Sequence, residues 1–338
     1  MNENSSQYIH ILSDIKDKIK SAQYRAIIGA NKEMILLYWQ IGQVILQNIE
    51  WGNKFIENLS RDIRNAFPDA TGYSVRNLKY MRKFAEEFSN FEFVQQAVAQ
   101  INWRHVITLM NKSSDLEIRS WYVAKTIENG WSANVLALQM SSQLYERQAI
   151  ADKTHNFDQM LPHEQSDLVA ETMKDPYIFE FISMSEELRE RDIEKLLVQN
   201  VTKLLLELGS GFAFVGNQYH LSIGNEDFYL DLLFYNYKLR CFVVIELKTG
   251  SFKPEHAGKL NFYLSAVDDL LKTETDNPSI GILLCRDKNK LIAEYALKDM
   301  TKPIGVSEFR LLDEATRELG ARLPEILKTE MSAMNIES

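Results

Sequence analysis

The stretch Phe228–Lys248, FYLDLLFYNYKLRCFVVIELK, constrains this chain more than any other. Two short apolar runs flank a polar loop, and charged residues sit inside both runs. Val, Ile and Phe in such brief runs favour strand over helix. Alternation then places Phe242, Val244, Glu246 and Lys248 on one face, and Cys241, Val243, Ile245 and Leu247 on the other. In a hairpin, a loop centred on Lys238–Leu239 sets Asp231 directly opposite Glu246. One centred on Tyr237–Lys238 sets them diagonally. Either register gathers two carboxylates and an ammonium on one patch of sheet.

Charges inside a buried strand are rare and costly. Two carboxylates this close repel each other unless a cation lies between them. Mg2+ or Mn2+ suits hard oxygen ligands and keeps several waters. A lysine beside it can orient a water or offset charge on a phosphate. The bland alternative is an edge-strand Asp and an ordinary Glu–Lys pair on a wet face. Phe, Val, Ile and Leu on both sides argue against it.

The D-x(14)-E-x-K spacing on paired strands resembles the core of the PD-(D/E)xK nuclease superfamily, which includes restriction enzymes, Holliday-junction resolvases and RecB-type exonucleases. A longer run, FYLDLLFYNYKLRCFVVIELKTGSFKPEHAGKLNFYLSAVDD, with NPSIGILLC and KPIGVSEF, is similar to the C-terminal nuclease domain of the bacterial YhcG-like family. LLYWQIGQVI, WGNKFIENLS, FPDATGYSVRNLKYMRKF, INWRHVITL and WYVAKTIENGWS resemble that family's N-terminal region, so the likeness covers nearly the whole chain. It implies a two-domain α+β protein: an all-α domain, then an α/β restriction-endonuclease-like domain with a central mixed sheet. It implies a metal-dependent nuclease acting on nucleic acid, with DNA favoured over RNA, in bacterial DNA processing or defence. A DNA-associated binding protein on a nuclease scaffold is the second reading.

The same resemblance assigns residues. Asp231 and Glu246 become ligands of Mg2+ or Mn2+, with the Leu247 backbone carbonyl as a third, and Lys248 becomes the catalytic lysine. The superfamily's upstream acid, on the helix before the first strand, falls on Glu194, with Glu207 as its rival. Lys259 and Tyr263 share a helix face and stand where RecB-like nucleases have Gln-x-x-x-Tyr, with Lys replacing Gln. His256, one turn earlier, reads as structural or surface.

At 338 residues there is room for two domains. Residues 8–150 read as helical, with a break near Ala30 or Asn31 and a stop at Trp51–Gly52. The polar stretch Asp152–Glu164 is the expected boundary, and residues 165–331 form the nuclease-like half. There, Asp167–Met173, Tyr177–Ser183 and Ser185–Leu208 read as helices. Strands follow at Gly211–Val215, Gln218–Ile223, Phe228–Phe234, Cys241–Lys248, Ile280–Cys285 and Ile304–Leu311. Pro254–Leu271, Leu291–Leu297 and Asp313–Met331 read as further helices.

A net charge of −9 disfavours a wholesale nucleic-acid surface, but a local basic patch remains open. Thr71–Lys83 supplies one: Arg76, Lys79, Arg82 and Lys83, with no acid. The preceding helix and the FPDATGYS turn are compatible with a helix-turn-helix. The five tryptophans read as core. DNA is the expected partner and a homodimer the expected assembly. Cys241 and Cys285 read as buried small hydrophobes in a reducing compartment. MNENSSQYIH lacks the features of a signal peptide, and no run is long enough to span a membrane, so a cytoplasmic location is expected.

Overall fold

Capping residues cut the first half of the chain into helices. The computed structural model describes residues 3–48, 54–183 and 188–312, and divides into two units, Met1–Tyr145 and Glu146–Ser338. The first unit contains α1 (Glu3–Gln47), α2 (Phe55–Ala66), α3 (Val75–Glu87), α4 (Phe91–Gln96), α5 (Trp103–Lys112), α6 (Leu116–Asn129) and α7 (Ala133–Ser141). Ser74, Asn90, Asn102, Asp115 and Ser132 each accept a backbone N–H at the start of α3 to α7 in turn. Gly130, in the left-handed region, closes α6.

The core of this unit gathers Ile35, Phe84, Phe88, Val106, Leu109 and Tyr122. Trp39, Trp103, Trp121 and Trp131 pack against it, as expected. Helices α1 and α3 cross closely: a Cβ at Gly42 would lie 2.0 Å from the Met81 carbonyl oxygen. The expected break at Ala30 or Asn31 does not occur. Asn31 donates to the Ile101 carbonyl, so a tertiary contact holds it inside a continuous helix. Trp51–Gly52 lies outside the described residues.

The second unit contains β1 (Thr154–His155), α8 (Phe157–Met160), α9 (His163–Thr172), β2 (Tyr177–Phe179), α10 (Glu190–Gln199), α11 (Val201–Leu208), β3 (Phe212–Ile223), β4 (Glu226–Asn236), β5 (Cys241–Ser251), α12 (Pro254–Leu270), β6 (Ile280–Asp287), α13 (Lys290–Lys298) and β7 (Ile304–Leu311). The sheet order is β1-β7-β6-β5-β4-β3, with β2 also beside β7. Strands β3, β4 and β5 are antiparallel. Strands β5, β6 and β7 are parallel, joined by α12 and α13. This is the mixed sheet expected.

Both faces of the sheet are covered, which is why β5 is buried continuously from Val243 to Leu247. Ile193, Leu197 and Leu204 of α10 and α11 pack on Val243, Ile245 and Leu247. Leu260 and Leu264 of α12 pack on Val244 and Leu283. A Cβ at Gly281 would meet Leu260 at 2.7 Å, so β6 needs glycine where α12 crosses it.

Three expected elements differ. Tyr177–Ser183 is not a helix, because Tyr177–Phe179 pairs in parallel with β7. A short apolar run is ambiguous by periodicity, and Tyr, Ile and Phe suit a strand. The run ending at Leu208 is two helices, interrupted at Asn200. β3 is one bulged strand rather than two. The polar stretch Asp152–Glu164 carries β1, which pairs with β7. Asp313–Met331 lies outside the described residues.

Candidate active site

The hairpin loop sets the geometry of the site. Asn236 Oδ1 accepts the N–H groups of Lys238 and Leu239, and Arg240 takes a positive φ of 52°. Pairing runs from Asn236↔Cys241 to Leu232↔Ile245, so the loop is centred on Lys238–Leu239. The next pair in that register is Asp231 opposite Glu246. There the backbones part, and the Leu247 N–H donates to Asp231 Oδ2 at 2.9 Å. A carboxylate replaces a backbone carbonyl at the point where the strands open.

Glu246 is 1% exposed. Its Oε2 faces two ammonium groups, Lys259 Nζ at 3.2 Å and Lys248 Nζ at 3.7 Å. Its Oε1 is buried without a hydrogen-bond partner. Burial, then the charge of Asp231, pushes the Glu246 pKa up to about 7, against the pull of both lysines. Burial opposes the charge of Lys259, yet Glu246 and Tyr263 hold its pKa above the ordinary range.

Lys248 is drawn between two groups: Nζ donates to the Leu247 carbonyl at 2.7 Å and to Glu190 Oε2 at 3.1 Å. Lys259 lies 4.9 Å from the ring centroid of Tyr263. Tyr263 is itself core, packed beside Phe228 and Phe262. It thus supports Lys259 from below. The structure brings together Asp231, Glu246, Leu247, Lys248, Lys259 and Tyr263.

The upstream acids fall differently. Both oxygens of Glu194 are engaged by β3: Oε1 by Asn217 at 2.9 Å and Oε2 by Gln218 at 2.6 Å. The β3–β4 register puts Gln218 opposite Asp231, so Glu194 reaches the site's edge through an amide. Glu207 is elsewhere, held by Arg147 at 2.5 Å, by Lys174 and by the Ile178 N–H at 2.9 Å. The upstream acid that touches Lys248 is Glu190, one turn before Glu194 on the same face. Sequence reading missed it, although the four-residue spacing was visible. Gln218 was also legible: Gly224 and Asn225, both at positive φ, form a two-residue hairpin turn that fixes the register. His256 accepts the Lys253 N–H at Nδ1 and caps α12.

On α3, Arg76 and Lys79 are exposed, while Arg82 and Lys83 are half-buried. Arg76 lies over Tyr80, 5.9 Å from its ring centroid. Lys83 donates to the Met110 carbonyl at 3.2 Å and lies 3.6 Å from Glu87. It ties α3 to α5, and the outward part of the stripe is Arg76 and Lys79. Residues 67–74 join α2 to α3, a longer link than the roughly three to four residues of a compact helix-turn-helix.

Among the described residues, no three His, Cys, Asp or Glu side chains cluster as a metal site. The available set is two carboxylates and a backbone carbonyl. These are hard oxygen donors, and the orphaned Glu246 Oε1 is an acceptor with burial but no partner. That donor set fits Mg2+ or Mn2+.

Comparison with known proteins places these features in a family. Residues 170–327 match the family model of the YhcG PDDEXK nuclease domain, and residues 14–147 match the DUF1016 N-terminal domain. The chain is 30% identical to "Putative nuclease YhcG" of Escherichia coli (strain K12), over 90% of each protein. Partial overlaps also occur with solved structures. A repair endonuclease from Pyrococcus abyssi is 17% identical, with a TM-score of 0.26, covering 38% of this chain and 49% of that one. An EndoMS–dsDNA complex is 21% identical, with a TM-score of 0.26, covering 39% and 48%. These overlaps span about half of those chains and do not bear on function. The chain belongs to the YhcG family, with a DUF1016 N-terminal domain followed by a PD-(D/E)xK nuclease domain.

Proposed function

We propose that this chain hydrolyses phosphodiester bonds in DNA with Mg2+ or Mn2+ held by Asp231, Glu246 and the Leu247 carbonyl. The observation that carries the reading is Glu246: a buried carboxylate, opposed by two ammonium groups on one oxygen and unpartnered on the other. A fold does not need such a residue, because an apolar side chain would fill the strand at lower cost. When bound, the ion lowers the pKa of a water and offsets negative charge on the phosphate.

The protein's own groups divide the remaining work. Lys248 orients the attacking water and stabilises the charge that develops in the transition state. Glu190 positions Lys248 through its 3.1 Å contact. Lys259 meets the phosphate, supported by Tyr263. Glu194 holds the β3 edge through Asn217 and Gln218. Arg76 and Lys79, with Arg82 and Lys83 behind them, contact the DNA backbone. No helix among the described residues is long and apolar enough to cross a membrane. The free, buried Cys241 and Cys285 suit a reducing cytoplasm.

A cleavage panel tests this reading. Linear, circular, branched and single-stranded DNA, and RNA, are incubated with Mg2+ or Mn2+, with Asp231→Ala as control. Cleavage of at least one DNA form by the parent alone supports it. No cleavage of any substrate, or equal cleavage by the variant, would reject it in favour of a binding protein on a nuclease scaffold.

A further inference from the structure

The first part of α1 carries an apolar stripe that is exposed from Ile15 to Gly29, with Leu12 half-buried at its start. Leu12, Ile15, Ile19, Ala22, Ala26 and Gly29 follow one another at alternating steps of three and four. That is the spacing of a coiled-coil seam. Every residue from Asp14 to Gln23 is exposed, Ile15 at 48% and Ile19 at 52%. Ala26 and Gly29 are also exposed, and a Cβ at Gly29 would meet nothing within 4 Å. The contacts of α1 with its own core begin at Asn31 and Ile35. Residues 3–30 form a helix about 42 Å long, at about 1.5 Å per residue. Most helices in proteins are stabilised by packing an apolar face, so an apolar stripe exposed at Ile15, Ile19, Ala22, Ala26 and Gly29 calls for a partner.

The order of residue sizes along the stripe points to the occupant. The large residues, Leu12, Ile15 and Ile19, come first; the small ones, Ala22, Ala26 and Gly29, come second. We propose that residues 8–30 of α1 pair with the same segment of a second copy as an antiparallel coiled coil. The two-fold axis lies between Lys20 and Ser21. The layers are then Leu12 with Gly29, Ile15 with Ala26, and Ile19 with Ala22, and in each the two residue numbers sum to 41. Every layer sets a large side chain against a small one, which fills the seam evenly. Each contact recurs by symmetry, as a two-fold interface requires. A parallel pair would stack large on large, then small on small, and leave half of the seam thinly filled. Lys16 and Lys18 flank the stripe. Lys18 is already matched by Asp14 on its own helix at 2.7 Å, which reduces like-charge repulsion across the pair.

The test uses the full chain in analytical ultracentrifugation. The parent is expected to sediment as a dimer, and Ile15→Lys/Ile19→Lys as a monomer. Both side chains are exposed, so the variant keeps one cooperative unfolding transition, with a midpoint no higher than the parent's because the stabilisation supplied by the second copy is gone. Orientation is read by cross-linking, because both native cysteines are buried. An oxidised mixture of Leu12→Cys and Gly29→Cys chains should give the mixed disulfide. Leu12→Cys alone should give none, because its two copies lie 17 residues, or about 25 Å, apart along the axis. Ready cross-linking of Leu12→Cys alone would show a parallel pair and overturn the proposal. So would a parent that stays monomeric at all concentrations, which would leave the stripe to a different, acidic helical partner.

Discussion

Replacing Glu246 with glutamine removes a buried ionisation without changing side-chain shape. The consequence can be worked from the site. In the folded chain Glu246 has a pKa of about 7, against an ordinary 4.5. Between those values the folded state holds a proton that the unfolded state has released. Stability is therefore highest at the acid end and is lost as pH rises through 7. A gap of about 2.5 units at about 1.36 kcal/mol each is roughly 3 kcal/mol. In chelator, Glu246→Gln should flatten this part of the pH dependence of the second unit's stability. Above pH 7 the variant should be the more stable, by up to about 3 kcal/mol. Urea unfolding at pH 5 and pH 8, followed by far-UV circular dichroism, measures the effect. All five tryptophans precede Tyr145, so their fluorescence reports the first unit and serves as an internal control. A parent and variant with the same pH slope would mean that Glu246 does not carry the buried charge, and the reasoning would fail.

Two further outcomes follow from the geometry. Lys248→Met should lower single-turnover cleavage by about two to four orders of magnitude while leaving Mn2+ binding intact, since lysine is no ligand for the ion; unchanged cleavage would reduce Lys248 to a rim residue. Arg76→Glu/Lys79→Glu should weaken DNA binding and lower the slope of log affinity against log salt by about one unit per lost contact; binding titrations at several salt concentrations that show the parent's slope would place the DNA surface elsewhere.

The site was legible where short-range rules sufficed. Strand alternation put Glu246 and Lys248 on one face, and either of two loop registers brought Asp231 to that face; the structure takes the one centred on Lys238–Leu239. The helix over α12 and the shared face of Lys259 and Tyr263 were legible from the pattern, but only the likeness to RecB-like nucleases set that face at the site. Reading failed where tertiary contacts decide. Glu190, Glu194 and Glu207 are all helical acids in the sequence, and only packing shows that they meet Lys248, the β3 amides and Arg147 respectively. Tyr177–Phe179 was too short for periodicity to separate strand from helix, and its partner β7 lies far along the chain. Asn31 looked like a break because its contact with Ile101 is invisible locally.

The central claim, that Asp231, Glu246 and the Leu247 carbonyl hold a divalent ion, is tested most directly by Mn2+ calorimetry on the full chain. The account predicts one ion per chain. Affinity should rise as pH increases toward 7, by up to about tenfold per unit, because Glu246 must lose its proton to bind. Asp231→Asn should abolish that binding while the fold persists. Binding that is absent in the parent, or that survives Asp231→Asn with the same affinity and pH dependence, would contradict it.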